Sequence, residues 1–261
     1  MAYLGGKARM SQHILELLND PLFDNFNYIE PFCGYCHVLR QVKNKKSYTA
    51  SDNNKYLTTL LQHIQKTKNK HLTISEEEYD ELKHNPDKDP LRAAYAAFTY
   101  SYNGKFFGGY TSIVHGRDYA QERKDYYDKL HDNEIFKQTT LQHTSYKKYM
   151  GVKGKLIYCD PPYENTAEYD SVFNSSTFWE DMRKLSKHNY VFISEYNAPP
   201  DFLCITQQGK RQTVSGKGDT RKKQEKVFVH ESKLIDPIIK HLLLQTKYKC
   251  KSKRDTRKVK K

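Results

Sequence analysis

No apolar run in the sequence approaches the ~18 residues that a membrane-spanning helix needs, and its first residues lack the charged-then-apolar order of a secretory signal. A soluble, intracellular protein is the expectation. Cysteine is sparse. The five, at 33, 36, 159, 204 and 250, suit a reducing compartment better than a disulfide framework. "CGYC" at 33–36 has the spacing of a redox motif or half a zinc site, but no second C-x-x-C or H-x-x-x-H follows, so no metal is expected. Glycine is equally thin where phosphate binding needs it. There is neither a G-x-x-x-x-G-K-[ST] nor a G-x-G-x-x-G. That speaks against a nucleoside triphosphatase and against a pyrophosphate cradle.

What is present is a chain of 261 residues, long enough for one large domain or a core carrying an inserted module. Its 21 tyrosines offer many rings with a hydrogen-bonding tip. The net charge of +13 is uneven: residues 247–261 hold nine Lys/Arg against one Asp, so this tail supplies +8 of it. Such a run is a solvated end that also attracts polyanions.

Hydrophobic periodicity divides the chain into three parts. Residues 9–18 read as an amphipathic helix, 27–32 as a strand entering a loop, 47–53 as a strand ending at Asp52, and 55–64 as a helix. This strand–loop–helix–strand rhythm indicates an α/β fold with a parallel sheet. Residues 75–135 break it. Ser75 and Glu78 make a capping box. Asp89 and Pro90 open a helix whose stripe runs Leu91, Ala94, Tyr95, Phe98, Tyr102. A glycine-punctuated turn, "NGKFFGGYTS", and a polar helix over 119–130 follow. The alternation then resumes, with strands at 139–146, 155–160 and 190–196. A helix capped by Ser176 or Thr177 lies between the last two. An antiparallel pair, 202–208 and 225–231, flanks a basic loop, and a last helix precedes the tail.

Ligands of open α/β sheets bind at the carboxyl ends of the strands, where Glu30, Asp52 and Asp160 fall. Singly, each reads equally well as a helix cap or a loop solvator. Together they suggest a nucleoside, because carboxylates there accept ribose hydroxyls or amines. Without a phosphate cradle, S-adenosylmethionine is the common ligand that fits. "DPPY" (160–163) then acquires a chemical sense. An exocyclic amine on a heteroaromatic ring is a poor nucleophile, since its lone pair is delocalised. The carboxylate of Asp160 and the carbonyl of Pro161 can both accept hydrogen bonds from it and stabilise the charge that develops on attack. Pro162 stiffens the turn, and Tyr163 can stack on the target ring.

Over roughly residues 1–230 the chain resembles the Dam-type (class alpha) DNA adenine-N6 methyltransferases. The likeness is carried by "YLGGK" (3–7), "EPFCG" (30–34), "SDNN" (51–54), "YNGKFFGGY" (102–110), "DPPY" (160–163) and "SEY" (194–196), in that order. The resemblance implies a Rossmann-like class I methyltransferase sheet with helices on both faces and an inserted small helical target-recognition domain. Residues 1–70 and 136–246 would be the S-adenosylmethionine-binding catalytic domain, 71–135 the insertion, and 247–261 a basic tail. It implies that Tyr3, Gly5, Gly6 and Lys7 meet the donor, as do Glu30, Pro31, Phe32, Gly34, Asp52, Ser145, Tyr146 and Asp160. Asp160, Pro161, Pro162 and Tyr163 would carry catalysis. Tyr102, Asn103, Lys105 and Arg117 would contact double-stranded DNA, with core packing the alternative for Tyr102. Lys/Arg in 210–223 would add phosphate contacts. The protein would act as a monomer or weak dimer, without a metal.

Two positions depart from the family pattern. Cys36 stands where the family usually has a second glycine; a positive φ there costs a cysteine roughly 1 kcal/mol or more. Ser145 stands where the family often has an acid to read the donor's adenine. Transfer to N6 of adenine is the activity implied. Cytosine N4, an RNA base, and a silent DNA-binding homologue are the alternatives.

Overall fold

The computed structural model describes residues 12–111, 113–114, 116–162, 173–208 and 225–245. In chain order the elements are α1 (Gln12–Leu18), β1 (Asn27–Glu30), β2 (Ser47–Asp52), α2 (Lys55–Lys66), α3 (Glu76–His84), α4 (Pro90–Thr99), β3 (Ile113–Val114), β4 (Arg117–Asp118), α5 (Tyr119–His131), α6 (Glu134–Lys137), β5 (Thr140–His143), β6 (Lys155–Cys159), α7 (Ser175–Ser186), β7 (Tyr190–Glu195), β8 (Phe202–Gln208), β9 (Glu225–His230) and α8 (Pro237–Leu244). Seven strands form one mixed sheet, ordered β5-β2-β1-β6-β7-β9-β8, and β3 pairs with β4 separately. The β1–β6, β6–β7 and β2–β5 pairs are parallel, while β9 runs antiparallel to β7 and to β8. This is an open, mostly parallel, Rossmann-like α/β sheet with an antiparallel pair at one edge.

The chain divides into two compact units: Met1–Arg9, Cys33–Val42 and Tyr48–Ser145 in the first, and Met10–Phe32, Lys43–Ser47 and Tyr146–Lys261 in the second. In the second unit, β6 and β7 are buried almost throughout, as parallel strands covered on both faces must be. Ile29, Ile157, Cys159, Val191 and Ile193 pack with Phe178, Met182 and Leu185 of α7.

In the first unit, α4 is buried from Ala93 to Thr99 on every side. The sequence pattern implies one apolar stripe ending at Tyr102. Instead the alanines let α2, α3 and α5 all approach, and the helix stops at Thr99. Tyr102 falls in a separate 3-10 turn and is 58% exposed, so core packing is excluded for it.

Other boundaries differ for local reasons. Asn174 caps α7, accepting from the Thr177 N–H, so the helix begins before Ser176 and Thr177. Ser75 caps α3 as expected, accepting from the Glu78 N–H at 3.2 Å. The Glu78 carboxylate also binds the Arg92 guanidinium, which holds its pKa below the ordinary value more than the Ser75 N–H does. Cys33, Cys36 and Cys159 are free and buried.

Candidate active site

In the second unit the polar residues collect where β1, β6 and β7 end. Side chains alternate along a strand, and the register sets Tyr28 beside Leu156 and Tyr158 beside Phe192. Tyr28, Glu30, Tyr158 and Ser194 therefore share a face. The Tyr28 hydroxyl donates to Glu30 Oε2 at 2.6 Å, and the Tyr158 hydroxyl and Ser194 Oγ lie 2.7 Å apart. Asp160 follows β6 directly and is half-buried; Pro161 beside it is buried. Glu30 is 2% exposed. Burial pushes its carboxyl up to about 8; the Tyr28 hydrogen bond opposes the rise and the Asp160 charge adds to it. Glu30 therefore stays largely protonated at neutral pH.

Beside Glu30, Phe32 stacks on Tyr146 with centroids 5.5 Å apart and meets Phe173 and Phe178 edge-on. The Tyr146 hydroxyl donates to Asp181 at 3.0 Å. Tyr146 thus offers a ring to a ligand, with its hydroxyl already engaged. At the end of β7, the Tyr196 N–H donates to Glu195 Oε2 at 2.5 Å. Because β9 runs against β7, pairing Lys226 with Glu195, β8 ends and β9 begins at this same edge. The basic segment 209–224 joins them there and itself lies outside the described residues.

The first unit holds Asp52, at the end of β2. Its carboxylate accepts the Asn54 N–H at 2.9 Å and the Gly34 N–H at 3.2 Å. Burial raises its pKa above the usual carboxylate range, against the opposing pull of these N–H groups and of His143. Asn54 caps α2, accepting from Tyr56 and Leu57. The loop of residues 33–36 is tied back by the Cys33 N–H to Ser51 O at 3.0 Å. Gly34 has φ +48° and nothing within 4 Å of where a Cβ would sit. This open backbone, beside an oriented carboxylate, fits a nucleoside with free hydroxyls. Ser145 lies just beyond β5; the intervening Thr144 N–H donates to Asp52 O at 3.1 Å.

Cys36 has φ +58° and is fully buried. The backbone here adopts the left-handed conformation for which glycine is suited, and the cysteine carries the strain. Replacing it by alanine or glycine removes the same buried sulfur, but only glycine relieves the backbone. Cys36→Gly should therefore be more stable than Cys36→Ala by about 1 kcal/mol in urea denaturation.

The residues expected to face DNA are also in the first unit. Tyr102 to Thr111 form a closed loop: the Tyr102 N–H donates to Gly109 O at 2.8 Å and the Thr111 N–H to Tyr100 O at 2.7 Å. The buried Tyr79 hydroxyl accepts the Gly109 N–H at 3.0 Å and lies 2.9 Å from Ser101 Oγ. Phe106 and Phe107 anchor the loop on Phe98 and Tyr79, which leaves Tyr102 outward. Asn103 and Lys105 belong to the same turn. Arg117 is exposed, but its guanidinium fork grips Glu122 and lies 4.8 Å from the Tyr119 ring. It reaches a phosphate only by exchanging that partner.

Tyr3, Gly5, Gly6, Lys7 and Tyr163 lie outside the described residues. Sequence reasoning missed Tyr28, Tyr158 and Ser194. The period of two that puts Tyr28 on Glu30's face was the available signal. Among the described residues no group of three or more His, Cys, Asp or Glu is placed to hold a metal, and no helix is long and apolar enough to cross a membrane.

Residues 3–113 match the D12 class N6 adenine-specific DNA methyltransferase family. No curated protein sequence matches. Among solved structures, the chain is similar to the rRNA methyltransferase aviRa from Streptomyces viridochromogenes at 12% identity and TM-score 0.39, covering 90% of this chain and 88% of that one. A conserved hypothetical protein from Streptococcus pyogenes gives 11%, 0.38, 85% and 96%. An rRNA methylase from Streptococcus thermophilus gives 8%, 0.34, 88% and 98%. The family match, over the N-terminal part of the chain, is to enzymes specific for N6 of adenine in DNA.

Proposed function

We propose that the chain methylates N6 of adenine within a specific double-stranded DNA sequence, with Asp160 and Pro161 as the groups that meet the target amine. The observation that carries this reading is the position of Asp160. It leaves a fully buried strand directly into a diproline, above a neutral Glu30 held by Tyr28. Bound S-adenosylmethionine supplies an electrophilic methyl group on a sulfonium. The protein's part is to orient and polarise the acceptor. The target adenine leaves the stack, at a cost of a few kcal/mol. The Asp160 carboxylate and the Pro161 carbonyl accept from its amine, favour a more tetrahedral nitrogen, and stabilise the charge that grows there. The methylated amine is acidic, and its proton leaves to solvent by way of Asp160.

Asp52 takes the ribose hydroxyls, the Gly34 backbone lies against the donor, and Phe32 and Tyr146 offer it an aromatic wall. Tyr3, Gly5, Gly6 and Lys7 hold its methionine end, Lys7 against the carboxylate. Ser145 reads the adenine with a weaker acceptor than an acid. Tyr102, Asn103, Lys105 and Arg117 contact the duplex, and residues 71–135 form the recognition domain.

Incubation with isotope-labelled S-adenosylmethionine and unmethylated duplex DNA, followed by nucleoside mass spectrometry, tests the reading. Labelled N6-methyladenine is the expected product. Label in N4-methylcytosine or in RNA alone would overturn the acceptor. Absence of donor binding would leave a silent DNA-binding homologue.

A further inference from the structure

We infer that the edge of the sheet opposite Asp160 is a binding surface for the phosphate backbone of a second DNA segment. That edge is formed in the second unit by the segment that leads into β2, which lies beside the start of β1, and by the loops that enter β6 and β7. They lie side by side. The Lys46 N–H donates to Phe26 O at 2.9 Å, and Ser47 Oγ to Asn27 Oδ1 at 2.7 Å. Asn27 pairs with Lys155. The Lys155 N–H donates to Asn189 Oδ1 at 3.0 Å, and the Gly154 N–H to His188 O at 2.8 Å. Each loop carries lysine to this line: Lys43 and Lys46, then Lys153 and Lys155, then Lys187. All but the half-buried Lys155 are exposed.

Nearby carboxylates do not neutralise the row, because each is already engaged. Asp24 lies 3.7 Å from the buried Lys45. Asp201 holds Arg183 through both oxygens, and Asp236 accepts from Tyr190 and caps α8. Among the described residues none of the five lysines makes an ion pair. A mixed-sign surface would read as ordinary solvation; an unbalanced row fixed by four adjoining strands does not.

The spacing suits a phosphodiester chain. Neighbouring strands lie ~4.8 Å apart, so the adjoining starts of β2, β1, β6 and β7 present cations over roughly 14 Å, the rise of about four phosphates along one DNA strand. The five residues of β6 separate this row from Asp160 by roughly 17 Å, and the two edges face opposite ways. A straight duplex seated at the active site therefore does not lie on the row. Its occupant is a second segment, and the enzyme bridges two.

The test is capture of a second duplex. Full-length protein is bound to an immobilised duplex, and retention of a fluorescent duplex is measured against salt, for wild type and for the triple variant K46A/K153A/K187A. Wild type should retain the second duplex. The variant should lose most of that retention, with a log–log salt slope shallower by about 2–3. Its thermal melt and its turnover at saturating DNA should match wild type. Equal retention by the variant, or one duplex per wild-type chain, would overturn the inference. Preferential retention of single-stranded RNA would overturn the choice of duplex DNA.

Discussion

Asp160→Ala should lower kcat by about a thousandfold while DNA affinity changes only a few-fold. Removing one preorganised group aimed at developing charge costs ~10²–10³ in rate in comparable sites. Here the loss falls on the carboxylate that follows β6 directly and leads into the diproline. Asp160→Asn keeps an oxygen that can accept from the target amine but removes the charge, so it should lie between wild type and alanine. Single-turnover transfer of labelled methyl groups, with filter binding on the same preparations, measures both quantities. An alanine variant within tenfold of wild-type turnover would remove Asp160 from the chemistry.

The second large effect is on stability and follows from Glu30. Folding raises its pKa from an ordinary 4.5 to about 8, chiefly by burial. Between those values the folded protein holds a proton that the unfolded chain has released. Stability therefore falls as pH rises, by about 1.4 kcal/mol per unit, and the penalty reaches up to about 5 kcal/mol at pH 8 and above. Below pH 4.5 the penalty is absent. Glu30→Gln removes the titration and still offers an oxygen to the Tyr28 hydroxyl. It should be more stable than wild type at pH 8, nearly equal at pH 5, and flatter between. Urea midpoints at several pH values decide it. Parallel curves for the two proteins would show that Glu30 is ionised in the fold.

The features legible in the sequence were those written in short-range pattern. The period-two and period-3.6 runs gave the strands and most helices to within a few residues, and the Asp89–Pro90 and Ser75 caps fell where their chemistry predicts. The three strand-end acids were likewise visible, since a polar residue closing an apolar run stands out. What escaped depends on long-range partners. Glu78 adds a stronger partner to its capping box because Arg92, fourteen residues on, comes within reach. Glu30 becomes a neutral acid because β6 closes over it. Tyr102 leaves the helix stripe because Tyr79 draws Gly109 and Ser101 into a closed loop. The left-handed backbone at Cys36 was anticipated from the family pattern, not from any local preference of cysteine.

The pairing of β1 with β6 also bears on how the chain emerges during synthesis. Asn27 meets Lys155, so more than a hundred residues must be added before β1 gains that neighbour. At ~5–20 residues per second, the β6 flank of β1 stays open for roughly 6–25 s. Tyr28 and Ile29, buried in the finished sheet, are exposed on the ribosome for that interval, when a chaperone has its opportunity to shield them.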